Sequence, residues 1–139
     1  MYNNIVLAFD GSEHGDKALE HAKILSDRFE ATLWLVHVFP HTSDLLGYED
    51  FEQLFSRRKC AGQVVLDNGR RKLGEIRFEL QEKLVEGPEA EAILTVAENC
   101  QADLIVMGTR GLGTLKGLML GSVSRKVTNC ATCPVMVVR

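Results

Sequence analysis

The sequence predicts an α/β fold: one doubly wound, Rossmann-like domain over residues 1–139, with a five-stranded parallel sheet and helices on both faces. Three observations carry this. Short apolar runs recur at Ile5–Phe9, Leu33–Phe39, Phe78–Val85, Leu104–Met107 and Val135–Val138. Three of them (Ile-Val-Leu-Ala-Phe, Leu-Ile-Val-Met and Val-Met-Val-Val) lack polar alternation, as strands covered on both faces do. Stretches of helical period separate the runs, and strands alternating with helices imply βαβ crossovers.

Each element has its own signal. The first run ends in Phe9-Asp10-Gly11-Ser12, and Ser12 is a fitting N-cap for a helix whose apolar stripe is Ala18, Ala22, Leu25 and Phe29. Lys17, Glu20, Lys23 and Asp27 lie mostly on its other side. The connection from Pro40 to Asp50 is long enough to be a functional loop. A second helix is expected from about Phe51 to Leu73, with Leu54, Phe55, Ala61, Val65 and Leu66 as its apolar members, although Gly62, Gly69 and Gly74 weaken that signal. Ala90, Ile93, Leu94 and Ala97 form a third stripe, entered through Gly87-Pro88 with proline expected at the first helical position. Val123, Val127 and Cys130 mark a fourth, starting near Gly121-Ser122.

Composition narrows the class. At 139 residues, 45% hydrophobic and 25% charged, the chain can bury a proper core without disulfides or metal. No apolar run approaches the ~18 residues of a membrane helix, and the N-terminus lacks a signal-peptide layout. A cytoplasmic protein with no membrane partner is expected. The net charge of −3 is uneven: after Asp103 there is no acidic residue, only Arg110, Lys116, Arg125, Lys126 and Arg139. A basic segment on an acidic chain suggests a local anion site and argues against a nucleic-acid groove.

In such sheets ligands sit beyond the carboxyl ends of the strands. Asp10 stands at the first strand tip, where it can accept a hydrogen bond from a base amine or ribose hydroxyl, sit near a metal, or simply shape a turn. No Gly-x-Gly-x-x-Gly follows it, so an ordinary dinucleotide fingerprint is absent. The fourth strand leads into Gly108-Thr-Arg-Gly111-Leu-Gly-Thr-Leu-Lys-Gly-Leu-Met-Leu-Gly121-Ser122-Val123-Ser124. Glycines allow a ligand to approach the backbone closely, and the segment ends where a helix begins. Free N–H groups there, with the Ser122 and Ser124 hydroxyls, make a phosphate seat, and Arg110 and Lys116 add positive charge. A P-loop is excluded because no Gly-Lys-Ser/Thr ending is present.

The spacing Gly108-x-x-Gly111, nine residues, then Gly121-Ser122 resembles the glycine signature of the ATP-binding branch of the universal stress protein family. The resemblance spans the chain, through Asp10-Gly-Ser, His37-Val38, Glu86-Gly87-Pro88, Ala102-Asp103-Leu-Ile-Val-Met-Gly and the closing Cys133-Pro134-Val-Met-Val-Val138. It implies that Ala8, Phe9 and Asp10 line the adenosine end, with Val38 against the adenine. Met107 and Gly108 would meet adenine and ribose, Gly111 the phosphates, and Gly121, Ser122, Val123 and Ser124 would hold phosphates. It further implies ATP with Mg²⁺ or Mn²⁺, and a homodimer through the last strand. That strand, apolar and at a sheet edge, independently invites pairing with a second copy.

Other residues carry less. Cys130-x-x-Cys133 sits at a helix end, the wrong polarity for a redox pair, and Cys60 and Cys100 are isolated in the sequence, so small apolar fillers are expected. His14 and His21 are expected to be solvated or packing residues, and no Ser/His/Asp or His-Glu-x-x-His arrangement is present. The leading function is a nucleotide-dependent regulatory switch acting on an unspecified protein partner. A slow ATPase or phosphotransferase, and a nucleotide-free interaction module, are the alternatives. A phosphoacceptor receiver domain is excluded because Gly87, not an aspartate, follows the third strand.

Overall fold

A computed structural model of the chain describes residues 1–43, 47–109 and 120–139. Arg110, Gly111 and Lys116 of the glycine-rich segment lie outside the described residues. The elements run β1 (Asn4–Ala8), α1 (Glu13–Phe29), β2 (Thr32–Phe39), α2 (Tyr48–Leu73), β3 (Leu80–Glu86), α3 (Glu89–Asn99), β4 (Leu104–Gly108), α4 (Ser122–Cys130) and β5 (Val135–Val138). The sheet order is β3-β2-β1-β4-β5, and every pairing is parallel. The chain therefore builds outward from β1 in one direction, then crosses back to continue with β4 and β5. The switch point lies between β1 and β4, where a parallel sheet opens a crevice beyond its carboxyl ends.

Burial on both faces explains the runs without alternation. Ile5, Leu7, Leu33, Leu35, Leu104 and Val106 pack with Ala18, Leu19 and Ala22 of α1 and with Leu66 and Leu73 of α2. The intervening residues Val6, Val36, Ile105 and Met107 pack with Ala90, Ile93, Val96 and Ala97 of α3 and with Val127 of α4. Each fully buried aliphatic side chain contributes about 1.5–3 kcal/mol, so the central strands anchor the fold.

Helix α2 is unbroken despite its glycines. A Cβ at Gly62 would lie 2.9 Å from Leu84 Cδ1, and one at Gly69 would lie 3.0 Å from two ring carbons of Phe9. The two positions are two turns apart and share a face. They let α2 sit close against the sheet, and that close approach offsets their propensity cost. Gly74, at φ +63°, ends the helix. The helix also begins at Tyr48, which shortens the connection expected from Pro40 to Asp50.

Smaller differences have local causes. β1 covers Asn4–Ala8 instead of Ile5–Phe9, and β3 begins at Leu80, where pairing with Leu33 starts. Pro88 is the N-cap of α3 instead of its first helical residue: its ψ of 147° is extended, and its carbonyl accepts from Ala92 N–H. Ser12 caps α1 as expected, accepting from Gly15 N–H at 3.1 Å. Among the described residues, no helix is long and apolar enough to cross a membrane.

The end of β4 lies hard against the first turn of α1. A Cβ at Gly108 would lie 2.7 Å from His14 Cβ and 2.9 Å from the His14 backbone carbon. Backbone cannot rotate away as a side-chain end can, so Gly108→Ala forces β4 and α1 apart. We expect a loss of about 1–3 kcal/mol, lowering Tm by about 5 °C in calorimetry.

Candidate functional site

A cavity of about 420 Å³ opens over the carboxyl ends of β1, β2 and β4. Ala8, Phe9 and Asp10 enter it from β1, Val38 from β2, and Met107 and Gly108 from β4, while Gly121, Ser122, Val123 and Ser124 form the α4 wall. These predicted binding residues thus lie together around one space. Gly111 lies outside the described residues.

Thr109 builds the α4 wall. Its N–H donates to Val138 O at 2.8 Å, and its carbonyl accepts from Gly121 N–H at 2.7 Å and from Ser124 Oγ at 2.9 Å. Its hydroxyl bonds to His14 Nδ1 at 2.7 Å. One buried residue, 4% exposed, therefore ties β4 to β5, α1 and the start of α4. The first i→i−4 bond of α4 runs from Arg125 N–H to Gly121 O. The N–H groups of Ser122, Val123 and Ser124 precede it and have no intrahelical acceptor. Among the described residues no side chain caps the helix, and its first turn holds no acidic residue. Among the described residues nothing covers this positively polarised helix end, which faces the cavity.

The two serines differ. Ser124 is buried, and its hydroxyl also lies 3.1 Å from Gly121 O. Its single hydrogen is committed to main-chain carbonyls, so it fixes the helix start and offers the cavity its N–H. Ser122 is exposed, and its hydroxyl makes no hydrogen bond among the described residues.

The opposite wall is acidic. Asp10 Oδ1 accepts from Ser12 N–H at 2.9 Å and from Ser12 Oγ at 2.6 Å, which orients the carboxylate and leaves Oδ2 for other donors. Ser12 serves twice, as cap of α1 and as clamp on Asp10. A Cβ on Gly15 would come within 2.8 Å of Asp10 Oδ1, so that position must stay small. Glu89, the first residue of α3, also lines the cavity, with part of its surface open to solvent. Burial, and secondarily the charge of Asp10, push its carboxyl above the ordinary glutamate range. His37 Nδ1 donates to Phe9 O at 2.7 Å, fixing both the ring and the chain as it leaves β1.

The strand order sets the distances between these groups. Gly121 N–H holds α4 to the β4 end, and Gly87 N–H donates to Phe39 O, holding the start of α3 to the β2 end. β1, with Asp10, lies between. Two strand spacings of about 4.8 Å, about 10 Å in all, separate β4 from β2, with the start of α4 at one end and Glu89 at the other.

Thr109, His37 and Glu89 were not among the predicted binding residues. Thr109 directly follows Gly108 and Glu89 directly follows Gly87-Pro88, so both were visible as polar residues at strand-to-helix junctions. A second cavity of about 590 Å³ on the α3 flank, beside Trp34, Lys83 and Val85, meets neither Asp10 nor α4. The cysteines are free thiols. Cys100 is not isolated: burial raises its thiol pKa first, and nearby Cys133 adds to the shift. Among the described residues, no group of three or more His, Cys, Asp or Glu is placed to hold a metal ion.

Residues 1–139 match the universal stress protein family. A universal stress protein of Thermus aquaticus is 42% identical, over 100% of both chains. Protein MJ0577, of solved structure, superimposes with a TM-score of 0.88 at 29% identity, covering 99% of this chain and 96% of that one. A universal stress protein family structure from Arabidopsis thaliana with AMP bound gives a TM-score of 0.69 at 24% identity, covering 98% and 90%.

The raised Glu89 pKa has a sign that can be checked. A carboxyl held above its unfolded value costs stability while it is ionised, and the cost disappears once both states are protonated. Glu89→Gln removes it. We expect the variant to melt above wild type at neutral pH, and the difference to vanish as pH falls below the ordinary glutamate range, read by thermal denaturation against pH.

Proposed function

The chain belongs to the universal stress protein family, and on that premise we propose that it binds an adenine nucleotide, ATP foremost, as a regulatory switch. The observation that carries this reading is the polarity of the cavity: a bare helix end on one wall and an oriented carboxylate on the other. Phosphates seat on the N–H groups of Ser122, Val123 and Ser124 and on the Ser122 hydroxyl. Asp10 accepts from ribose or base, while Val38 and Met107 give the base an apolar bed. The AMP-bound family structure agrees in ligand class. Any Mg²⁺ or Mn²⁺ would arrive on the phosphates, since among the described residues no cluster is placed to hold it.

A cradle of N–H groups and a hydroxyl supplies little that is specific to the transition state, and uniform binding does not speed chemistry. Hydrolysis far below the ~10 s⁻¹ of a typical enzyme is therefore part of the reading. β5 is an edge strand with Val135, Met136 and Val137 half-buried, which supports antiparallel pairing with a second copy.

Calorimetric titration should show ATP binding that Ser122→Ala weakens about 10-fold, the loss of one charge-assisted hydrogen bond. Gly121→Val, which sets a branched side chain over the N–H groups, should abolish it; undiminished binding by the folded variant would overturn the site. Turnover of several per second, or protease cleavage within residues 109–120 that ATP leaves unchanged, would overturn the switch. Sedimentation should find a dimer at micromolar concentration.

A further inference from the structure

Two helix N-termini open on the cavity, and they are not equivalent. The α4 end has no acidic residue in its first turn, whereas α3 begins with Glu89 and carries Glu91 one turn in. Glu91 is paired with Lys126 outside the cavity. Glu89 has no cationic partner among the described residues and lines the cavity itself. Its own carboxylate offsets the positive field of the α3 end. An anion therefore finds one favourable wall, the α4 wall at the β4 tip, and an unfavourable one at the β2 tip.

Resting on the nucleotide reading above, we propose that Glu89 is a specificity-determining residue: it selects a nucleobase that presents an amine over one that presents a carbonyl. With phosphates on α4 and the sugar beside Asp10, the base comes to the β2 tip, where Val38 and Glu89 form the wall. A carboxylate accepts and never donates. An exocyclic amine, as on adenine, gives it a hydrogen. A carbonyl in the same place sets two acceptors face to face and leaves both without a donor, the mismatch that gives polar sites their discrimination. The neighbouring charge strengthens the effect. Glu89 and Asp10 line the same cavity and their like charges repel, so an amine donor beside them relieves that repulsion while a carbonyl adds to it.

The test uses the whole chain with ATP and ITP, which differ at C6, an amine in one and a carbonyl in the other, and hence at N1, an acceptor in ATP and an N–H donor in ITP. Calorimetric titration of wild type should favour ATP by about 10-fold or more. In Glu89→Gln, whose amide both donates and accepts, the ratio should fall toward unity, chiefly because ITP gains. Glu89→Ala should also narrow it, by weakening ATP. If wild type binds ATP and both variants keep the wild-type ratio, the proposal is overturned while the nucleotide reading stands. If wild type binds neither nucleotide, that reading fails and takes this one with it. Near-ultraviolet circular dichroism of each variant confirms that the cavity walls are intact.

Discussion

The cavity depends on the way a single carbonyl is used. Thr109 O accepts from both Gly121 N–H and Ser124 Oγ, and so pins the first turn of α4 to the end of β4. Without that pin, the three N–H groups of α4 that lack an intrahelical acceptor would have no fixed direction. The pin is itself held from two further sides, by the ladder bond to Val138 O and the side-chain bond to His14. It joins the elements on both sides of the switch point. The anion-favouring wall is rigid because it grows from the most buried strands of the sheet.

Stability and chemistry pull apart at the acidic wall. Glu89 lies where burial and Asp10 both oppose its charge. Nothing in the packing of α3 requires it, since Ala90, Ile93, Val96 and Ala97 make the contacts with the sheet. A carboxyl on a cavity wall whose ionisation its surroundings oppose is a candidate for a functional role. Asp10 shows the cheaper solution: its charge is accommodated by two donors from Ser12, a residue already needed to cap α1.

Much of this was legible in the sequence. The apolar runs placed all five strands within about two residues, most sharply β1 and β4, which are apolar because central parallel strands are covered on both faces. Asp10 and the Gly121–Ser124 wall were legible because strand tips and helix starts are where backbone groups remain unpaired. Local signals failed where tertiary contacts decide. Gly62 and Gly69 weakened the helix signal, yet each fills a place where a larger residue would strike Leu84 or Phe9. Thr109 carried no local signal of its role, since the four groups it bonds, on Val138, His14, Gly121 and Ser124, all lie outside its own neighbourhood in the sequence. Glu89 carried no such signal either; its place on the cavity wall follows only from setting α3 beside the strand ends.

The close seating of α2 has a mechanical consequence. Gly69 rests against one edge of the Phe9 ring, Lys72 lies over that ring at 5.8 Å, and the Phe9 carbonyl holds His37 on the cavity floor. Phe9 is thus a fulcrum shared by a 26-residue helix and the ligand chamber. With no methyl group between helix and ring to absorb play, a force applied along the outer surface of α2 is transmitted stiffly to the carboxyl end of β1. The longest helix is, in this sense, the handle by which the outside of the molecule grips its interior.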